Sequence, residues 1–162
     1  MKKIVSIVVV VAVLLALTSA FAPEKTGLKQ GRIAPEVTLA DTTLYAVDEA
    51  YEGYTLLHFW ASYDAPSRIA NIRYSNAIEQ QGDNKVRYIA VSYERNEALY
   101  GEIVKRDNLL PDTQYYDAAG EGSQLYSRYR LNKGFATYLI DADGKIVAHN
   151  PSTQTIEKIL GL

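Results

Sequence analysis

The chain has 162 residues, 48% of them apolar and 22% charged, with a formal charge of −2 and no cysteine. This is one domain's length of ordinary globular composition. It excludes a nucleic-acid binder built on a basic patch, and every thiol or disulfide reaction by the protein's own side chains.

Lys2 and Lys3 form a basic start, and Ile4 to Leu17 is an apolar run of 14 residues. A membrane span needs roughly 20. Small residues follow in LTSAFAP. Residues 1–22 are therefore predicted to be a secretory signal peptide, cut after Ala20 or Ala22, with no membrane span left after cleavage. Pro23 hinders a cut after Ala22 and favours Ala20. The predicted location is periplasmic or secreted. Removing Lys2 and Lys3 leaves 15 basic and 19 acidic residues, a formal −4.

Residues 23–32 are polar with two glycines and read as a flexible leader; the domain is expected over 33–162. Val37 to Leu39 and Leu44 to Val47 flank Asp41-Thr42-Thr43 as a small hairpin. Tyr54 to Ala61 is a continuous apolar and aromatic run, the pattern of a strand buried on both faces. Asp64 is a strong N-cap, and Pro66 falls in the first turn of the helix it starts, where the missing N–H costs nothing. Gln81-Gly82-Asp83-Asn84 ends that helix. Val86 to Ser92 is a second buried strand. Asn96 caps a helix to about Asp107, with Leu99, Ile103 and Val104 inward.

Leu110-Pro111-Asp112 reads as a turn, Tyr115-Tyr116 as a short strand, and Ser123 to Tyr129 as a short helix. Thr137 to Ile140 and Lys145 to His149 are strands around an Asp-Gly hairpin turn at Asp143-Gly144. Ser152 caps a last helix ending at Leu160. The order β-α-β-α-(β)-α-β-β-α implies parallel strands from the early βαβ units and an antiparallel pair at the end. The expected fold is α/β: a central mixed sheet with helices on both faces, and an N-terminal β-hairpin extension.

Four motifs in this order carry a family resemblance. Gly31-Arg-Ile-Ala34-Pro35-Glu-Val37-Thr-Leu39 is similar to an opening G-x-x-A-P-x-F-x-L. LLHFWASYDAPSR is similar to L-L-N-F-W-A-S-W-C-x-P-C-R, VRYIAVS to the family's second strand, and YRLNKGFATYLIDADGKIV to its closing hairpin. Over roughly Gly31 to Leu160 the chain resembles the thioredoxin-fold proteins of the bacterial envelope, the TlpA or redoxin group of thiol–disulfide oxidoreductases.

The departures fall on the chemistry. In this resemblance the two cysteines become Asp64 and Ser67, and the tryptophan before the first becomes Tyr63. The cis-proline facing the dithiol falls on Phe135, or on Ala136 if the loop is shifted. A cis bond before a non-proline residue costs about 2.5–4 kcal/mol, so a trans bond is expected. The residue behind the dithiol is His58, expected as a buried polar group. Relatives hold an extended segment of their substrate in this groove. The resemblance therefore implies a redox-inactive protein that binds a peptide or envelope partner at Tyr63, Asp64, Ala65, Pro66, Ser67, Phe135 and Ala136. No cofactor is implied.

Two other chemistries fit some of these residues. Ser67 with His58 or Asp64 suggests a hydrolase, which requires Ser–His contact in a cleft open to water. A fold retained without activity at this site is the third alternative. A metal at His58, Asp64 and His149 lacks ligand spacing, and Asp141 to Gly144 lacks the Glu a calcium loop needs at its twelfth position, which is Ser152. The 13 tyrosines suggest one aromatic set at the groove (Tyr63 and Phe135, with Trp60 behind) and a second at Tyr115, Tyr116, Tyr126 and Tyr129. With no thiol in the chain, the purified protein is expected to give no dithiol-dependent insulin reduction. Activity that survives removal of contaminating oxidoreductases contradicts that expectation.

Overall fold

The computed structural model describes residues 25–48, 50–81 and 86–161. The signal peptide read over 1–22 lies outside the described residues. From Thr26 on, the segment read as a leader is tied to the domain. Thr26 bridges Ile33, Ile33 bridges Lys145, and Gly31 N donates to Ile146 O at 2.8 Å.

A small antiparallel hairpin opens the domain, β1 (Val37–Leu39) with β2 (Thr42–Tyr45). The central strands follow as β3 (Tyr54–Trp60), β4 (Val86–Ser92), β5 (Gln114–Tyr116), β6 (Thr137–Ile140) and β7 (Ile146–His149). They form one sheet in the order β5-β4-β3-β6-β7. The pairs β3–β4 and β4–β5 are parallel, and β3–β6 and β6–β7 antiparallel. This is the mixed sheet that the element order implied. β3 is buried from Thr55 to Trp60 because neighbours and both faces cover it.

Alternation along β3 sorts two cores. Leu57 and Phe59 join Ile89, Val91, Tyr129 and Tyr138 beneath the hairpin and the short helix α3 (Gln124–Arg128). Leu56 and Trp60 join Tyr88, Ile103, Val104 and Ile156 on the opposite face. That face carries α1 (Ala65–Gln81), α2 (Glu97–Arg106) and α4 (Thr153–Leu160). The caps at Asn96 and Ser152 are those the sequence marked, and Ser123 is a further one. Asn96 accepts from Leu99 N, Ser123 from Tyr126 N and Ser152 from Thr155 N.

α1 is fixed by polar contacts as well as packing. Arg68 clasps Asp107, just past α2, through two bonds of 2.6 Å. Asn71 is fully buried and joins Tyr88 on β4 to Gln114 on β5. A polar group can sit in that core because both ends of its amide find partners.

The turn 131–133 was not read from the sequence. Arg130 adopts φ 55°, a 3-10 turn covers Leu131–Lys133, and Gly134 takes φ 118° before Phe135. Gly134 thus provides the backbone conformation that aims Phe135 at the end of β3.

At the β6–β7 turn, Gly144 has φ +79° and a Cβ there would stand 2.5 Å from Val47 Cγ2. Gly144→Ala is expected to destabilise the fold by roughly 1–3 kcal/mol. Gly101 lies inside α2 with open space around it, so Gly101→Ala is expected to stabilise by about 0.5–1 kcal/mol. Urea midpoints of both variants check the pair.

Candidate functional site

The candidate residues meet where β3 ends and α1 begins. β3 delivers the chain to Ala61, and Asp64 N donates back to Ala61 O at 3.2 Å. Asp64 then caps α1: its carboxylate accepts from Ser67 N at 2.9 Å, and its carbonyl from Arg68 N at 3.1 Å. The negative side chain also suits the positive end of the helix. The Ser67 hydroxyl donates to Asp64 O at 3.1 Å and accepts from Ala61 N at 3.4 Å. Ser67 is buried, while Ala65 and Pro66 are exposed. Asp64 and Ser67 are thus both occupied in holding the turn.

His58 lies under this turn, 1% exposed. Register places it opposite Thr137 on β6. Its Nδ1 stands 2.8 Å from Thr137 Oγ1, and its Nε2 3.0 Å from the Ser67 carbonyl. A carbonyl can only accept, so Nε2 carries the proton and Thr137 donates to Nδ1. The ring is neutral, and burial lowers its pKa to about 4, against smaller opposing effects of Ser67 and Asp64.

This arrangement corrects the hydrolase expectation. Neither ring nitrogen reaches Ser67 Oγ: one holds the Ser67 carbonyl and the other Thr137. The hydroxyl is itself engaged with backbone. A nucleophile needs a free hydroxyl facing a free base. Among the described residues, no three His, Cys, Asp or Glu side chains gather to hold a metal ion.

The loop ahead of β6 closes the other side. Ala136 O accepts from Phe59 N at 3.1 Å, and no peptide bond among the described residues is cis. Phe135 is half-buried and stacks on Tyr93, with centroids 6.0 Å apart and planes at 18°. Tyr63 leans over Phe135 at 6.2 Å and remains 54% exposed. The structure thus brings Tyr63 and Phe135 together, as the sequence suggested.

The second tyrosine set does not form. Tyr126 joins Tyr93 at the site, Tyr129 packs on Phe59, and Tyr116 stacks on Tyr100. Helical spacing could not show which sheet face each ring would reach. Trp60 is fully buried in the core on the α1 face.

Sequence reasoning also passed over Glu94. It is 3% exposed and accepts from Ser62 N. The available signal was an acid just past the end of a buried parallel strand, in VSYE, where α/β sheets place their sites.

Comparison with known proteins places this geometry. No family model matches the chain, and no curated protein does. A thioredoxin-like protein from Parabacteroides distasonis is 33% identical, over 85% of this chain and 98% of that one, with a TM-score of 0.77. The chain belongs to the thioredoxin-like proteins. A thiol-disulfide oxidoreductase from Bacteroides fragilis shares the fold at 22% identity, over 82% and 98% of the two chains (TM-score 0.64). So does a thiol:disulfide interchange protein from a Bacteroides species, at 21%, over 83% and 92% (TM-score 0.67). This thioredoxin-like protein is cysteine-free, and at the start of α1 it holds the Asp64 cap and the buried Ser67 hydroxyl.

The neutral His58 gives a pH test. Its folded pKa lies below the ordinary 6.5, so between about pH 6.5 and 4 the unfolded chain binds a proton the folded one does not. Stability from this group is present above that window and lost as pH falls through it, by about 2 kcal/mol between pH 7 and 5. His58→Gln is expected to flatten that slope in urea unfolding. An unchanged slope contradicts the buried neutral ring.

Proposed function

We propose that this is an exported, redox-silent thioredoxin-like protein that acts by binding an extended peptide or a partner protein at its former dithiol groove. The observation that carries this reading is Tyr63. It is a large aromatic side chain, 54% exposed, resting on Phe135 at the end of the sheet where this fold has its site. Aromatic anchors at well-supported positions dominate many interfaces. Here the support is rigid, because the Asp64 cap and Ser67 hydroxyl fix the turn that bears Tyr63.

Phe135 stacks on Tyr93. Ala65 and Pro66 are exposed beside Tyr63. They offer a partner a small apolar strip whose conformation is already set, which lowers the entropic cost of binding. Export rests on the basic start and apolar run of residues 1–22. The location that follows is the periplasm or the medium.

Site-specific photocrosslinking in the native envelope tests this reading. A photoreactive residue replaces Tyr63, with a control at the exposed Glu102 on α2. One defined protein captured at Tyr63, absent at Glu102 and lost with Phe135→Ser, is the expected result. Equal capture at both positions, or none at Tyr63, contradicts it.

A further inference from the structure

Beside Tyr63, on the side away from α1, a cavity of about 360 Å³ opens between Tyr63, Tyr93, Glu94, Arg95, Tyr116 and Glu121. Glu94 is 3% exposed. One carboxylate oxygen accepts from Ser62 N. The other, Oε2, is buried and has no hydrogen-bond partner among the described residues. A buried carboxylate oxygen is costly unless a water, an ion or a ligand supplies a donor.

The rest of the wall matches that need. Tyr116 and Tyr93 are braced from behind by Tyr100 and Phe135. Tyr63 is pushed to a higher pKa, first by burial, then by Tyr126, Glu121, Glu94 and Asp64, all of which disfavour a negative charge there. A pocket lined by three tyrosines and two glutamates against one arginine suits an organic cation. Arg95 on the rim is exposed, and no ion pair among the described residues joins it to either acid.

We propose that this cavity takes the cationic end of a lysine or arginine side chain, with Glu94 as its buried counter-ion and the tyrosine rings as its walls. The inference rests on the binding reading above and sharpens it: the segment held at Tyr63 carries a basic residue directed toward the 118–121 loop. Ammonium and guanidinium groups share the chemistry. Both carry N–H donors and a positive charge that suit a carboxylate, and the guanidinium can in addition lie flat on a tyrosine ring.

An NMR titration of the purified ¹⁵N-labelled protein tests the cavity without any partner. The probes are n-butylammonium and N-methylguanidinium, with neutral 1-butanol as control. At least one cation is expected to give saturable shifts at the amides of Glu94, Tyr116 and Gly120, at least fivefold tighter than 1-butanol. Glu94→Gln keeps an acceptor for Ser62 N and is expected to abolish that preference. Glu121→Gln, on the exposed rim, should weaken binding two- to fivefold with the fold intact, and guards against misfolding of the first variant. Arg95→Ala is expected to tighten binding by removing a like charge. Shifts equal to those of 1-butanol, or cation binding unchanged by both Glu substitutions, overturn the proposal. Such a failure leaves capture at Tyr63 standing. Absence of capture with intact cation binding instead contradicts the groove reading.

Discussion

His58 joins three elements from within β3. One ring nitrogen holds the first turn of α1 through the Ser67 carbonyl, and the other holds Thr137 at the start of β6. Both bonds are short and shielded from water, where an unmade bond would cost the desolvation of each group. Tyr74 meets the ring edge-on at 5.4 Å, which limits its tilt. The imidazole thus ties the helix start to the start of β6, on either side of the end of β3.

The site residues belong to the same frame. In a thiol enzyme the helix start lowers the pKa of a reacting sulfur. Here the same field acts on the Asp64 carboxylate, which spends it on a backbone N–H. Ser67 is turned inward toward Ala61 and Asp64. Both Asp64 and Ser67 are engaged in the frame of the turn. The exposed side chains beside them are Tyr63, Ala65 and Pro66.

Much of the fold was legible because it is local. Asp64, Asn96 and Ser152 mark helix starts by chemistry that acts over three residues. The apolar runs in β3 and β4 mark strands covered on both faces. Tyr63 and Phe135 were linked only through the family resemblance, since they lie 72 positions apart and share no periodic pattern. What the sequence hid was decided across the sheet. Whether Ser67 Oγ or its carbonyl faces His58 depends on the helix turn. That Tyr126 belongs with Tyr93, and Tyr129 with Phe59, depends on how the five-residue α3 is rolled. Glu94 is buried by a contact with Ser62, 32 positions earlier, that no local pattern shows.

The central claim is that Asp64 and Ser67 now serve stability. The most direct measurement is urea unfolding of the Asp64→Cys/Ser67→Cys variant under reducing conditions at pH 6, beside the parent protein. The account expects the reduced variant to be less stable by about 1–3 kcal/mol, the sum of a lost cap and a lost buried hydroxyl bond. A reduced variant as stable as the parent, or more so, would show that the two residues are idle replacements, and would contradict the account.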